Sequence, residues 1–264
     1  MLSSLDPMQQ WQATVALRNL SVTNAVNVAT AGALPGLFAL LRTCRDHGVT
    51  TASDMHNAII EAIGSFAKHA ADWDDDSINS LIELLGPGSS SGEQEMATGA
   101  LNNLAYSHAD NKVKITSAGA IPLLVTLLGP QNSAKVQEGV AGTLSELAAG
   151  DADNQVKIAD AGAIPPLTTL LGPQISARVQ EKAIWALSNL AADNTDNQVK
   201  ISVVGGFTAL IHISQHHPSM KVKEAASKAL EMLPYPAVSY DEMIIAISFA
   251  GRYEYAHTLT HTST

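Results

Sequence analysis

The sequence predicts an all-α chain built as a stack of three-helix repeats, and three observations carry that prediction. Asn-Lys-Val-Lys-Ile begins at Asn111, and Asn-Gln-Val-Lys-Ile at Asn154 and again at Asn197, a step of 43 residues both times. The turn Leu-Leu-Gly-Pro returns in the same phase with Pro87, Pro130 and Pro173, as do Gly119, Gly162 and Gly205 and the series Leu101, Leu144, Leu187 and Leu230. No segment alternates with the period of two that strands require. A fixed step of this length is the mark of a solenoid, in which each unit buries its apolar face against its neighbours.

The unit from Asn154 shows how each helix arises. Asn154 to Asp160 reads as a short first helix, ended by Ala161-Gly162-Ala163. Gly162 supplies the permissive backbone that a sharp turn between helices needs. Pro165 and Pro166 fall in the first turn of a second helix, where a missing N–H costs little. That helix runs through Leu167, Leu170 and Leu171 to Gly172-Pro173, and a loop over 174–177 follows. In the third and longest helix, Val179, Ala183, Ala186, Leu187 and Leu190 lie on one face at helical spacing.

These residues closely resemble the armadillo family. Its motif runs Asn-x-x-x-Ile, then Gly-Ala-Ile-Pro-Pro-Leu-x-x-Leu-Leu, Val-Gln-Glu and Trp-Ala-Leu-Ser-Asn-Leu-Ala, and it is met almost letter for letter from Asn154 to Ala191. The resemblance spans about Asp6 to Leu233 and implies a right-handed superhelix of about five three-helix repeats. Residues 1–236 are assigned to this solenoid, with a partial repeat at 7–21. Repeats follow at about 26–69, 73–108, 111–153, 154–196 and 197–234. Beyond Pro236 the period stops. Ser239-Tyr240-Asp241-Glu242 reads as a capping box, so 237–264 is expected to be a C-terminal capping helix and a flexible tail.

The flanking units depart from the pattern. The second carries extra residues between Leu41 and Met55, expected to form an inserted loop. In the third, the first helix is nearly gone, and Asp72-Trp73-Asp74-Asp75-Asp76 fills its place. An acidic run offers no apolar face, so a break in the solenoid is expected there, with the next helix beginning at Ser77.

The chain has 264 residues, 15% of them charged and 5% aromatic, with a formal charge of −10. Phosphate contacts need clustered Lys and Arg, so a nucleic-acid surface is not expected. Basic proteins are the electrostatic match. The stretch from Ala25 to Leu41 is interrupted by polar residues, glycines and Pro35, so no direct membrane insertion is expected. Cys44 is the sole cysteine, which fits a reducing compartment, cytoplasmic or nuclear.

Peptide-binding members of the armadillo family, such as importin-α and β-catenin, line a concave groove with their third helices. An Asn on each clamps the backbone of an extended peptide, because an amide both donates and accepts. The matching positions here are Asn19, Asn103, Glu146, Asn189 and Met232. In importin-α a Trp stands four residues before this Asn and packs on a Lys or Arg stem. Here only Trp185 does so, ahead of Asn189. Val15, Gly99, Gly142 and Lys228 hold the other places, and no basic autoinhibitory segment precedes them, which argues against an import receptor. Few Lys or Arg are expected on the third helices, so the groove is expected to be neutral to acidic.

Chemistry-bearing constellations are weak. His212, His216 and His217 have a helical spacing that suits a metal, but no acidic or cysteine ligand stands near. Cys44 and His47 could pair as nucleophile and base, but both fall in the expected loop. Neither a metal nor a cofactor is expected. The reading is a non-catalytic adaptor for an extended, basic or apolar protein segment, with peptide contacts at Asn19, Asn103, Glu146, Trp185 and Asn189. The alternatives are a targeting module of a larger protein and a structural protein that self-associates through its open ends.

Overall fold

Helix after helix is closed at its ends by side chains that recur with the sequence period. The computed structural model describes residues 6–30, 33–47, 52–69 and 73–233. Over these residues the chain is all-helical, with no strand. The third helices of successive repeats are α1 (Pro7–Thr30), α3 (Ala52–His69), α5 (Ser91–Ser107), α8 (Ala134–Ala148), α11 (Ala177–Ala191) and α14 (Met220–Glu231). The second helices are α2 (Ala33–His47), α4 (Asp75–Glu83), α7 (Ala120–Thr126), α10 (Ile164–Thr169) and α13 (Gly206–His216). Separate first helices are α6 (Ala109–Ser117), α9 (Ala152–Asp160) and α12 (Thr195–Val203).

Three side-chain devices set these boundaries. Gly119, Gly162 and Gly205 adopt φ of +78°, +84° and +87° where the first helix turns into the second, a conformation costly for any residue with a Cβ. The hydroxyls of Ser90, Ser133 and Ser176 accept from the backbone N–H groups of Glu93, Val136 and Val179, capping α5, α8 and α11. Gln94, Gln137 and Gln180 donate back to the turn that follows the preceding second helix, with contacts of 3.2, 3.0 and 2.8 Å to the carbonyls of Gly86, Gly129 and Gly172. The same carbonyls accept from the backbone N–H groups of Ser89, Asn132 and Ile175, so each turn is closed from both sides.

The recurring Asn of the sequence motif is structural. The buried Nδ2 atoms of Asn111, Asn154 and Asn197 donate to the carbonyls of Leu104, Leu147 and Leu190, seven residues earlier, at 3.2, 3.1 and 3.0 Å. Each bond fastens a first helix to the end of the third helix before it. The next residue reaches across its own repeat to the C-terminal end of the third helix. Lys112 Nζ donates to the Ala149 carbonyl, and Gln155 Nε2 to the Asn189 and Ala192 carbonyls. Beneath these bonds lies one continuous aliphatic core from Leu34 to Leu233, in which Leu101, Leu144 and Leu187 are buried.

Four expectations are corrected. The partial repeat does not end near residue 21: α1 continues to Thr30 and takes in the place of the next first helix. The extra residues after Leu41 do not form a loop over Cys44 and His47, because α2 runs on to His47. Cys44 is buried on that helix, and burial pushes its thiol pKa up, away from the nucleophilic thiolate. Helix α4 begins at Asp75, not Ser77, because Asp74 accepts from the Ser77 N–H at 2.7 Å and caps it.

The fourth correction concerns the expected break. Trp73, in the middle of the acidic run, is only 1% exposed and meets the Phe38 ring edge-on, with centroids 6.4 Å apart. Lys114 Nζ donates to the Trp73 carbonyl at 2.9 Å. A large buried aromatic ring thus joins the shortened repeat to the core, and among the described residues one apolar cluster includes both this repeat and its neighbours. The capping helix and tail expected over 237–264 lie outside the described residues.

Candidate functional site

The third helices pack in sequence, α1 on α3, α3 on α5, and so on through α8 and α11 to α14, and form one layer of the stack. What that layer presents to solvent follows from helical spacing. From Ala183 to Ala191 every residue is buried except Trp185 and Asn189, which stand one turn apart on α11. From Val140 to Ala148 on α8, Glu146 alone escapes burial, and from Ala97 to Ala105 on α5 Gly99, Asn102 and Asn103 do so. Asn103, Glu146 and Asn189 therefore occupy the same solvent-facing position on three consecutive helices. Asn19 is exposed on α1, and Met232 is exposed at the C-cap of α14.

Trp185 is 37% exposed, so its ring is neither fully free nor part of the core. Asn189 is half-buried, and its amide is already engaged. Nδ2 donates to the Ser145 carbonyl at 2.9 Å and to the Ser145 hydroxyl at 3.0 Å. A carbonyl only accepts, so the amide nitrogen must face Ser145, and Oδ1 is the group left to accept from a ligand. Glu146 follows Ser145 in the chain, and its carboxylate takes part in no ion pair among the described residues.

The structure explains why the tryptophan is not repeated on α8. At Gly142, a Cβ would lie 2.7 Å from Asn102 Oδ1 on α5, and at Gly139 one would lie 2.8 Å from Thr98 Cβ. At Gly139 helices α5 and α8 approach too closely for even a methyl group, and at Gly142 the end of the Asn102 side chain would have to move aside. Asn102 Oδ1, pressed against this seam, is buried without a hydrogen-bond partner. Gly99 differs, since a Cβ there would meet nothing within 4 Å.

The layer is less acidic than the sequence suggests. Lys and Arg are not rare on these helices: α8, α11 and α14 each carry both signs, including Lys135, Arg178, Lys182, Lys221, Lys223 and Lys228. Adjacent third helices are joined by Arg18–Glu61 at 3.2 Å, Lys135–Glu95 at 3.8 Å and Lys221–Glu181 at 2.9 Å. Such partly exposed pairs contribute about 0–1 kcal/mol each. Their chief effect is to neutralise the charges they use.

Ser145 was missed in the sequence reading, although a signal existed: serine precedes the ladder position at both Ser145 and Ser188. Its importance depends on which atom of the neighbouring helix faces it. Among the described residues, no group of three or more His, Cys, Asp or Glu side chains is placed to hold a metal ion. No described helix is long and apolar enough to cross a membrane.

Comparison with known proteins agrees with this fold. The Armadillo/beta-catenin-like repeat family matches residues 108–149 and 151–192. A designed armadillo repeat protein solved in complex with the peptide (KR)4 is 26% identical and superposes with a TM-score of 0.74. The match covers 88% of this chain and 96% of that one. A computationally designed armadillo repeat protein for modular peptide recognition is also 26% identical, with a TM-score of 0.73 over 88% of this chain and 97% of that one. A further engineered protein, 27% identical with a TM-score of 0.74, matches over 99% of this chain and 62% of its own. The curated protein sequences contain no match. The repeat family matches the two best-formed units, and the superposition over most of the chain's length shows the fold of an armadillo-repeat solenoid.

Proposed function

We propose that this chain is a non-catalytic adaptor that holds an extended, basic or apolar segment of a partner protein against its third-helix layer. Contacts come from Asn103, Glu146, Trp185 and Asn189, with Asn19 extending the line toward the N-terminus. The observation that carries the reading is the pairing of Trp185 and Asn189, which alone escape burial on their stretch of α11. An aromatic face supplies apolar area and attracts a cation. The Asn189 Oδ1 one turn away accepts from a peptide N–H, and the unpaired Glu146 carboxylate on the next helix favours a basic residue. The similar designed protein that is bound to (KR)4 supports a ligand of this kind.

Calorimetric titration of the full chain with (KR)4 and with (DE)4, at low and high salt, tests the proposal. Binding of (KR)4 that weakens with salt, and weakens further in Glu146→Gln, is the expected result. Tighter binding of (DE)4 would overturn the basic part of the reading.

A further inference from the structure

Away from the third-helix layer, a hollow of about 580 Å³ opens between the end of α10 and the turn from α13 to α14. Leu171, Ile175, Ile213 and Pro218 give it apolar walls, and His212 and His216 also line it. These two histidines are four residues apart on α13 and both are exposed. Their ring centres are 5.0 Å apart, with the planes tilted by 52°. Neither ring makes a hydrogen bond to any described residue. Two imidazoles held side by side on one helix, with no hydrogen-bond partner for their nitrogens among the described residues, amount to a preformed chelate.

The separation fits a shared ion. A metal–imidazole bond of about 2.0–2.1 Å places each ring centre about 3 Å from the metal. Two such rings lie about 5 Å apart when the angle at the metal is between square-planar and tetrahedral. His217 is not a third ligand. Its Nδ1 lies 3.0 Å from the Ser219 nitrogen and 3.4 Å from the Ser219 carbonyl oxygen, and His217, as the extended C-cap residue next to His216, does not share the face of that pair. Hence the absence of any group of three ligands among the described residues is compatible with a site built from two.

We propose that His212 and His216 chelate one late first-row divalent cation, of the Cu²⁺ and Zn²⁺ class, with water in the remaining positions. The sequence reading discounted these histidines for want of an acidic or cysteine ligand. Imidazole alone suits these metals, and hard cations such as Mg²⁺ have no affinity for it.

The test is calorimetric titration of the untagged full chain with Cu²⁺, Zn²⁺ and Mg²⁺. It is carried out in a His257→Ala, His261→Ala background, because those two residues share the same spacing. One equivalent of Cu²⁺ is expected to bind more tightly than Zn²⁺, with Mg²⁺ silent. His212→Ala or His216→Ala is expected to weaken binding by roughly tenfold or more, while His217→Ala leaves it unchanged. Circular dichroism of each exposed-site variant confirms that the helices persist. Absence of saturable Cu²⁺ binding, or an affinity that His212→Ala does not alter, would overturn the proposal.

Discussion

The amide of Asn189 on α11 donates to both oxygens of Ser145 on α8, so a residue of the proposed ligand surface also fastens two repeats together. Ser145 is buried, and removing its donor leaves the hydroxyl without a partner and the carbonyl with the Ala149 N–H alone. Asn189→Ala is therefore expected to cost about 1–2 kcal/mol in urea denaturation, more than a surface change usually does. Asn189→Asp is expected to cost at least as much, because a carboxylate cannot donate to a carbonyl. Loss of less than about 0.5 kcal/mol in both variants would show that the bond contributes little.

Trp185 bears on stability and binding differently. About a third of the side chain is open to solvent, so truncation forfeits only part of the 3–5 kcal/mol that a core tryptophan is worth. Trp185→Ala is expected to lower stability by about 1–2 kcal/mol, and to weaken (KR)4 binding by about 1–3 kcal/mol as an aromatic hot spot does. Paired melts and titrations on the folded variant separate the two effects. Unchanged affinity would remove Trp185 from the site.

The seam between α5 and α8 gives opposite outcomes for two glycines. A Cβ at Gly139 would come within 2.5 Å of Thr98 Oγ1 and 2.8 Å of Thr98 Cβ. Thr98 Oγ1 is itself held at 2.8 Å by the Gln94 carbonyl, and the Thr98 carbonyl accepts from Thr143 at 3.1 Å. Gly139→Ala is expected to destabilise by about 1–3 kcal/mol as overpacking. Gly99→Ala, with open space around it, is expected to stabilise by about 0.5–1 kcal/mol through helix propensity. Thermal melts of the two variants should move in opposite directions.

The acidic run is expected to be protected rather than frayed. The Ser77 N–H is bound by the Asp74 carboxylate, the Ile78 N–H by the Asp74 carbonyl at 3.1 Å, and Trp73 is buried beside them. Native-state hydrogen exchange should show Ile78 as slow as Ile158 of the regular repeat. Trp73→Ala should abolish that protection and cost about 3–5 kcal/mol. Fast exchange at Ile78 in the parent chain would restore the idea of a break.

Much of this architecture was legible in the residues. Gly119, Gly162 and Gly205 announced the turns because only one backbone conformation makes glycine recur so strictly, and the leucine series announced the core. The irregular repeats were harder to read. Trp73 sits in an acidic run, and nothing in local composition says that its side chain turns inward while Asp74, Asp75 and Asp76 stay in water. The fusion of α1 with the following first helix was equally hidden, since no proline or glycine marks where a turn should fall. At the candidate site, helical spacing placed Trp185 and Asn189 on one face. The Ser145 bond and the closeness of Gly142 to Asn102 depend on how far apart two helices lie, which a repeat period does not encode.

The central claim is that an extended peptide lies on the third-helix layer, across Asn103, Glu146, Trp185 and Asn189. Nuclear magnetic resonance of the isotope-labelled chain titrated with (KR)4 tests it most directly. The expected result is a set of shifts concentrated on the Trp185 indole N–H, the Asn189 and Asn103 side-chain amides and the Glu146 backbone. Shifts confined to the first and second helices, or none as the peptide saturates, would contradict it.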